Sequence, residues 1–143
     1  MSGTQFWKHT GVVIAAAAAV NAAIYLVAKA AGAEILVPMG ASPVALEVAP
    51  VIIFTVVPLA LAAVLLLVLR RVGLASPSVF AGVAVTVAVL SLMAPLTADL
   101  AVANKLVLAS MHVVAGLGAL LGLVPLARPA GATAATAVPA RAA

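Results

Sequence analysis

The sequence predicts an all-α integral membrane bundle of four transmembrane helices, N-in and C-in, from its composition, the length of its apolar runs and the placement of its lysines and arginines. Of 143 residues, 67% are hydrophobic and only 7% charged, whereas a soluble domain has roughly 45–50% apolar and about 25% charged residues. A soluble protein of this size needs a charged shell, because a small domain leaves much of its surface in water. Seven basic and three acidic residues cannot make one.

A bilayer core of about 30 Å takes about 20 apolar residues in a helix rising about 1.5 Å per residue. Residues 11–31, 50–69, 79–96 and 105–127 reach that length. None has the clean period of an amphipathic soluble helix, and helices apolar all round are buried in lipid or protein. The first run also invites a reading as a cleaved signal peptide, with Lys8 before it and Ala31-Gly32-Ala33 as the cleavage site. It is too long for a usual signal-peptide core and is interrupted by Asn21 and Lys29, so it is expected to be a retained span.

The three connections read as turns. Residues 32–49 carry Gly32, Pro38, Gly40, Ser42 and Pro43; residues 70–78 carry Arg70, Arg71, Gly73 and Pro77; residues 97–104 are short and polar. Backbone outside a helix needs water or buried partners, so these belong at the membrane surfaces. Residues 1–127 thus form the transmembrane domain. The tail, 128–143, is rich in Ala with Pro129, Gly131 and Pro139, a low-complexity composition expected to be a disordered cytoplasmic segment.

Orientation follows from the basic residues. The N-terminus, second connection and tail hold Lys8, Arg70, Arg71, Arg128 and Arg141; the other surface holds Lys29 and Lys105, together with Glu34, Glu47 and Asp99. Only Lys and Arg count in the positive-inside rule, and five against two puts both termini in the cytoplasm. Trp7 beside Lys8 stands where an interfacial aromatic anchor belongs. The net charge of +4 comes from single residues or one pair at span ends. That is the pattern of a protein facing anionic lipid, not the clustered basic face that nucleic acid requires, so no nucleic-acid partner is expected. There is no cysteine, which excludes disulfides, thiolate metal sites and thiol catalysis.

Polar residues within the spans are the informative ones, because polar groups in hydrocarbon cost free energy. They are Asn21 and Tyr25, Thr55, Thr86 and Ser91, and Ser110 and His112. By helical rise Asn21 lies about 15 Å from either end of its span and His112 about 10 Å below the outer end of its own. This predicts a cluster in the outer half, centred on His112 with Asn21 and one or more of Tyr25, Thr55 and Ser91. His112 shares a helical face with the small residues Ala109, Gly116 and Ala119, which let helices approach closely. Ala15, Ala18, Ala19 and Ala22 offer a matching surface on the first span. A structural hydrogen bond is the favoured role for His112, ahead of a ligand or proton site; no metal or cofactor is expected, since a lone intramembrane His lacks the partners such a site needs. Pro58 is expected to kink or loosen the second span, with neighbouring helices satisfying the freed carbonyl.

Val20-Asn21-Ala22 in an Ala-rich first helix, the Pro-rich outer loop, and Met111-His112-Val113-Val114-Ala115 in the fourth span resemble a family of uncharacterised actinobacterial four-helix membrane proteins, known only as a domain of unknown function. The resemblance covers about residues 11–127 and implies the fold and a cell inner membrane location, with no activity attached. No nucleophile and base pair or metal-ligand set can be assembled from the sequence, so an enzyme is not expected. The expected role is a structural or accessory subunit packing with itself as a homo-oligomer or with a larger membrane complex. The alternative is a small permease or ligand-binding bundle using the polar site in the outer half.

Overall fold

A computed structural model describes residues 2–39 and 42–128. The order is α1 (Gly3–Ala30), strands β1 (Leu36–Met39) and β2 (Ser42–Ala45), α2 (Val48–Arg71), α3 (Pro77–Thr97) and α4 (Val102–Leu117). After α4 come a wider π turn, Gly118–Leu123, and a 3-10 turn, Val124–Ala127. Four helices are long and apolar enough to cross a bilayer, the fourth running from Val102 through to Ala127.

Local signals set the helix ends. Ser2 and Gln5 form a capping box, each side chain taking the other's backbone N–H, which starts α1 at Gly3 rather than at the first long apolar stretch. At 28 residues α1 is about 42 Å long, so its first turns, carrying Lys8 and His9, extend past the hydrocarbon. Ser76 caps α3 through the Val79 N–H, with Pro77 in the first turn. Gly32 and Gly73 end α1 and α2 at φ of 82° and 74°, the left-handed conformation that glycine adopts without a Cβ penalty. The Ala33 and Leu74 N–H groups then close back on the Ala28 and Leu69 carbonyls, at 3.0 and 2.9 Å, so each helix ends in a Schellman motif.

The first connection, expected to be a turn, contains an antiparallel hairpin with Leu36 opposite Ala45, Val37 opposite Val44 and Pro38 opposite Pro43. The Leu46 N–H donates to Ile35 O at 2.7 Å. Alternation along the ladder therefore turns the backbone groups of Leu36 and Pro38 away from β2. Proline is tolerated at such a position because no cross-strand N–H is needed there. Leu36 is served instead by Asn104 of α4, whose amide accepts from Leu36 N and donates to Leu36 O at 3.3 and 2.8 Å.

The fourth span, expected as one regular helix, changes pitch after Leu117. Gly118 and Gly122 weaken the helix there and Pro125 has no N–H to continue it. Side chains from other helices take up carbonyls in this stretch: His9 Nε2 donates to Gly122 O at 3.0 Å and Arg70 to Leu126 O.

These contacts define two ends. The start of α1, the end of α2 and the end of the fourth span meet at a terminal end, packed around Phe6, Ala63, Leu66, Phe80, Leu123 and Leu126. At the opposite, hairpin end, Tyr25, Ile35, Leu46, Val51, Leu108 and Met111 form a second cluster, with Ala17, Leu59 and Ala119 between the two. Of the tail at 128–143, expected to be disordered, all but Arg128 lies outside the described residues.

Candidate functional site: a cleft between the second and third helices

Helices α2 and α3 are consecutive yet barely touch, while α1 packs on α2 and α3 on α4. The gap is a cleft of about 690 Å³. Phe54 and Leu61 of α2 and Val87 of α3 border it and are 63%, 63% and 58% exposed. Those rims lie within the spans, so the cleft opens sideways toward lipid. Its floor carries Asn21, Thr55, Ser91 and His112. Counted from the hairpin-side ends of their helices, these four sit about 9–15 Å deep.

Asn21 is the centre of the polar floor. It is 2% exposed, and its amide nitrogen donates to Thr55 Oγ1 at 2.9 Å and to Met111 O at 3.1 Å, joining α1, α2 and α4. The Thr55 hydroxyl passes its own proton to Val51 O at 2.8 Å, so its oxygen is an acceptor toward Asn21. That network fixes the amide orientation and leaves Asn21 Oδ1 buried without a partner among the described residues. Buried acceptors are nearly always satisfied, so this orphan calls for an explanation, as does Thr10 Oγ1, the other buried oxygen without a partner among the described residues.

Of the partners open to a structural His112, a side chain of the cluster or a backbone carbonyl, the structure shows the carbonyl. The His112 Nδ1 bonds the Leu108 carbonyl one turn back, at 2.8 Å, and not Asn21. A carbonyl only accepts, so Nδ1 carries the proton. The local bond needs no second helix to be aligned, whereas the short Asn21 amide, with two N–H groups, can bridge two neighbours. His112 nonetheless borders the same cleft, half-buried. Ser91 borders it too, its hydroxyl donating to Ala88 O at 2.8 Å. Tyr25 belongs elsewhere: its hydroxyl donates to Leu46 O at 3.1 Å and fastens α1 to the hairpin.

Of the small residues placed on the His112 face, Gly116 packs so tightly on α3 that a Cβ there would stand 3.0 Å from the Ala88 Cβ. Ala119 is buried with Ala17 and Leu59, and Ala109 is half-buried. The matching surface on α1 is shifted: Ala17 and Ala18 are buried, whereas Ala15 and Ala19 are exposed. The buried stripe of α1 runs through Phe6, Thr10, Ala17, Asn21 and Tyr25, and Ala15 and Ala19 fall on its far side. Helix α2 continues through Pro58, which borders the cleft.

A family model described as a family of unknown function, DUF6069, matches residues 2–130. The chain belongs to the DUF6069 family. Comparison with curated proteins and with solved structures finds no match. Membership in this family fits the small multi-pass membrane architecture and assigns no chemistry to the cleft of this DUF6069 chain.

Three contributors escaped the sequence reading. Asn104 read as part of a polar connection, yet it lies inside α4 and holds β1. His9 carried no assignment from the sequence, and Arg70 only that of an orienting charge, yet both hold the fourth span. For Arg70 a signal existed: Pro125 lies in the last turns of a span ending on the same surface, and a proline there leaves carbonyls for a basic side chain to take. Among the described residues no three His, Cys, Asp or Glu side chains come together as a metal-binding group.

Proposed function

We propose that the protein is a membrane-embedded binding bundle for a small lipophilic molecule, held in the hairpin half of the bilayer. The observation that carries this reading is the cleft: its volume of about 690 Å³ falls within the few hundred to about 1,000 Å³ of small-molecule sites, which are apolar pockets with a few placed polar groups. The five-to-two distribution of Lys and Arg supports both termini in the cytoplasm, with the hairpin outside. The Ala- and Val-rich composition supports a GC-rich source, as the resemblance to actinobacterial inner-membrane proteins implies.

The accessory-subunit reading has one observation of its own. Helix α3 buries only Phe80 and Pro95 of its 21 residues, leaving an apolar face for lipid or for another span. The cleft weighs more, because a helix that serves only as a docking surface needs no polar floor beneath it.

The test is to purify the protein from its native membrane in a mild detergent and identify the lipophilic molecules that accompany it by mass spectrometry. Val83→Trp, which fills the cleft from α3, is expected to deplete one molecular species selectively. An identical lipid profile for both proteins would overturn the binding reading. Orientation is tested separately by C-terminal fusions, where an active alkaline phosphatase would contradict a cytoplasmic C-terminus.

A further inference from the structure

We infer that the cleft takes a neutral amphiphile bearing a hydroxyl group, its head at Asn21 and His112 and its chain leaving between α2 and α3 into lipid; this rests on the binding reading above. Both amide protons of Asn21 go to Thr55 Oγ1 and Met111 O, the Thr55 proton to Val51 O, the Ser91 proton to Ala88 O, and the His112 Nδ1 proton to Leu108 O. Every side-chain donor on the floor is therefore committed within the protein.

What remains is acceptors. Asn21 Oδ1 is buried and has no partner among the described residues. In the neutral imidazole, a proton on Nδ1 leaves Nε2 with a lone pair and no hydrogen. A ligand whose head only accepts, such as an ester, ether or quinone, finds no donor here. One that brings a single O–H has two acceptors to choose between, Asn21 Oδ1 and His112 Nε2, so losing either lowers its occupancy.

Charge narrows the class further. None of the described residues bordering the cleft is Asp, Glu, Lys or Arg, and the floor lies about 9–15 Å below the hairpin-side helix ends. An ionised head at that depth without a counter-charge is costly, which excludes a carboxylate or a phosphate. The exposed apolar rims Phe54, Leu61 and Val87 suit a hydrocarbon chain that continues into the bilayer.

The experiment uses the full chain in phosphatidylcholine vesicles, irradiated with trace photoactivatable analogues of hexadecanol, hexadecyl methyl ether and palmitate, with labelled peptides located by mass spectrometry. The hexadecanol analogue is expected to label α2 and α3 along the cleft about fivefold more than the other two, the worth of one net hydrogen bond. His112→Phe, which removes only a bond within α4, is expected to lower alcohol labelling and leave ether labelling unchanged. Val83→Trp and, from the opposite wall, Leu61→Trp are expected to suppress cleft labelling by every probe.

Equal labelling by alcohol and ether, both suppressed by the tryptophans, would overturn the hydroxyl inference while the binding reading stands. Strongest labelling by palmitate would overturn the neutral head. Alcohol labelling unchanged in His112→Phe would overturn the seat at His112. Labelling that neither tryptophan alters would overturn the binding reading itself.

Discussion

Both ends of the bundle send donors between helices, but they differ in how closely they pack around their polar groups. At the terminal end, donors cross between helices: His9 of α1 and Arg70 of α2 reach the carbonyls of Gly122 and Leu126, where the fourth span leaves regular α geometry. The Arg70 guanidinium also lies 5.3 Å from the centre of the Phe6 ring, close enough for a cation–π contact. Apolar side chains fill the space between. Toward the hairpin end, Asn21 crosses to α2 and α4, Ser91 and His112 spend their protons on their own helices, the Asn21 oxygen has no partner among the described residues, and a cleft lies beside them. Each half holds one buried oxygen without a partner among the described residues, Thr10 Oγ1 and Asn21 Oδ1, so what separates the ends is the close packing of the one and the cleft beside the other.

The comparison breaks most visibly at Gly122. A Cβ there would stand 2.5 Å from Val13 Cγ1 and 3.1 Å from its Cβ, a branched side chain with no flexible end to move aside. Gly122→Ala is expected to destabilise the detergent-solubilised protein by about 1–3 kcal/mol, the usual cost of overpacking. An unchanged thermal midpoint would mean that the terminal end is not close-packed.

A smaller effect is expected from Arg70→Met, which keeps the apolar stem but loses the bond to Leu126 O and the contact with Phe6. The expected loss is about 1–2 kcal/mol, read in the same melting experiment. Stability equal to that of the parent would reduce Arg70 to an orienting charge.

The smallest expected effect is local. Asn104→Ala removes both bonds to Leu36, so amide exchange at Leu36 should quicken while the thermal midpoint falls by no more than about 1 kcal/mol of stability. Global unfolding on this substitution would show that the hairpin is part of the core, contrary to the division into two ends.

How much of this was legible in the sequence depended on whether the signal was local. The spans follow from apolar length, and Gly32 and Gly73 mark helix ends because only a residue without a Cβ turns left-handed there at no cost. Asn21 stood out because an amide that deep needs partners, and it finds Thr55. The rest was hidden for physical reasons. Leu36 to Ala45 contains two prolines and little alternation, so nothing local distinguished a hairpin from a loop; its anchor, Asn104, is 68 residues from Leu36 in the chain. His112 had a bond available within α4, and depth alone does not say whether such a residue looks to its own helix or to another. The change of pitch after Leu117 depends on donors from α1 and α2, and span length is blind to those.

Helices α2 and α3 stand apart at the cleft, while α3 and α4 are closely packed. The chain has no cysteine, so introduced pairs report without background. Leu61 and Val83 lie at similar depth on opposite walls of the cleft, about 20 Å from the hairpin-side ends of their helices. Ala88 and Gly116 meet across the tight α3–α4 contact, within reach of disulfide geometry. In vesicles under mild oxidation, Ala88→Cys with Gly116→Cys should cross-link readily and Leu61→Cys with Val83→Cys should not; cross-linking of the second pair as fast as the first would contradict an open cleft.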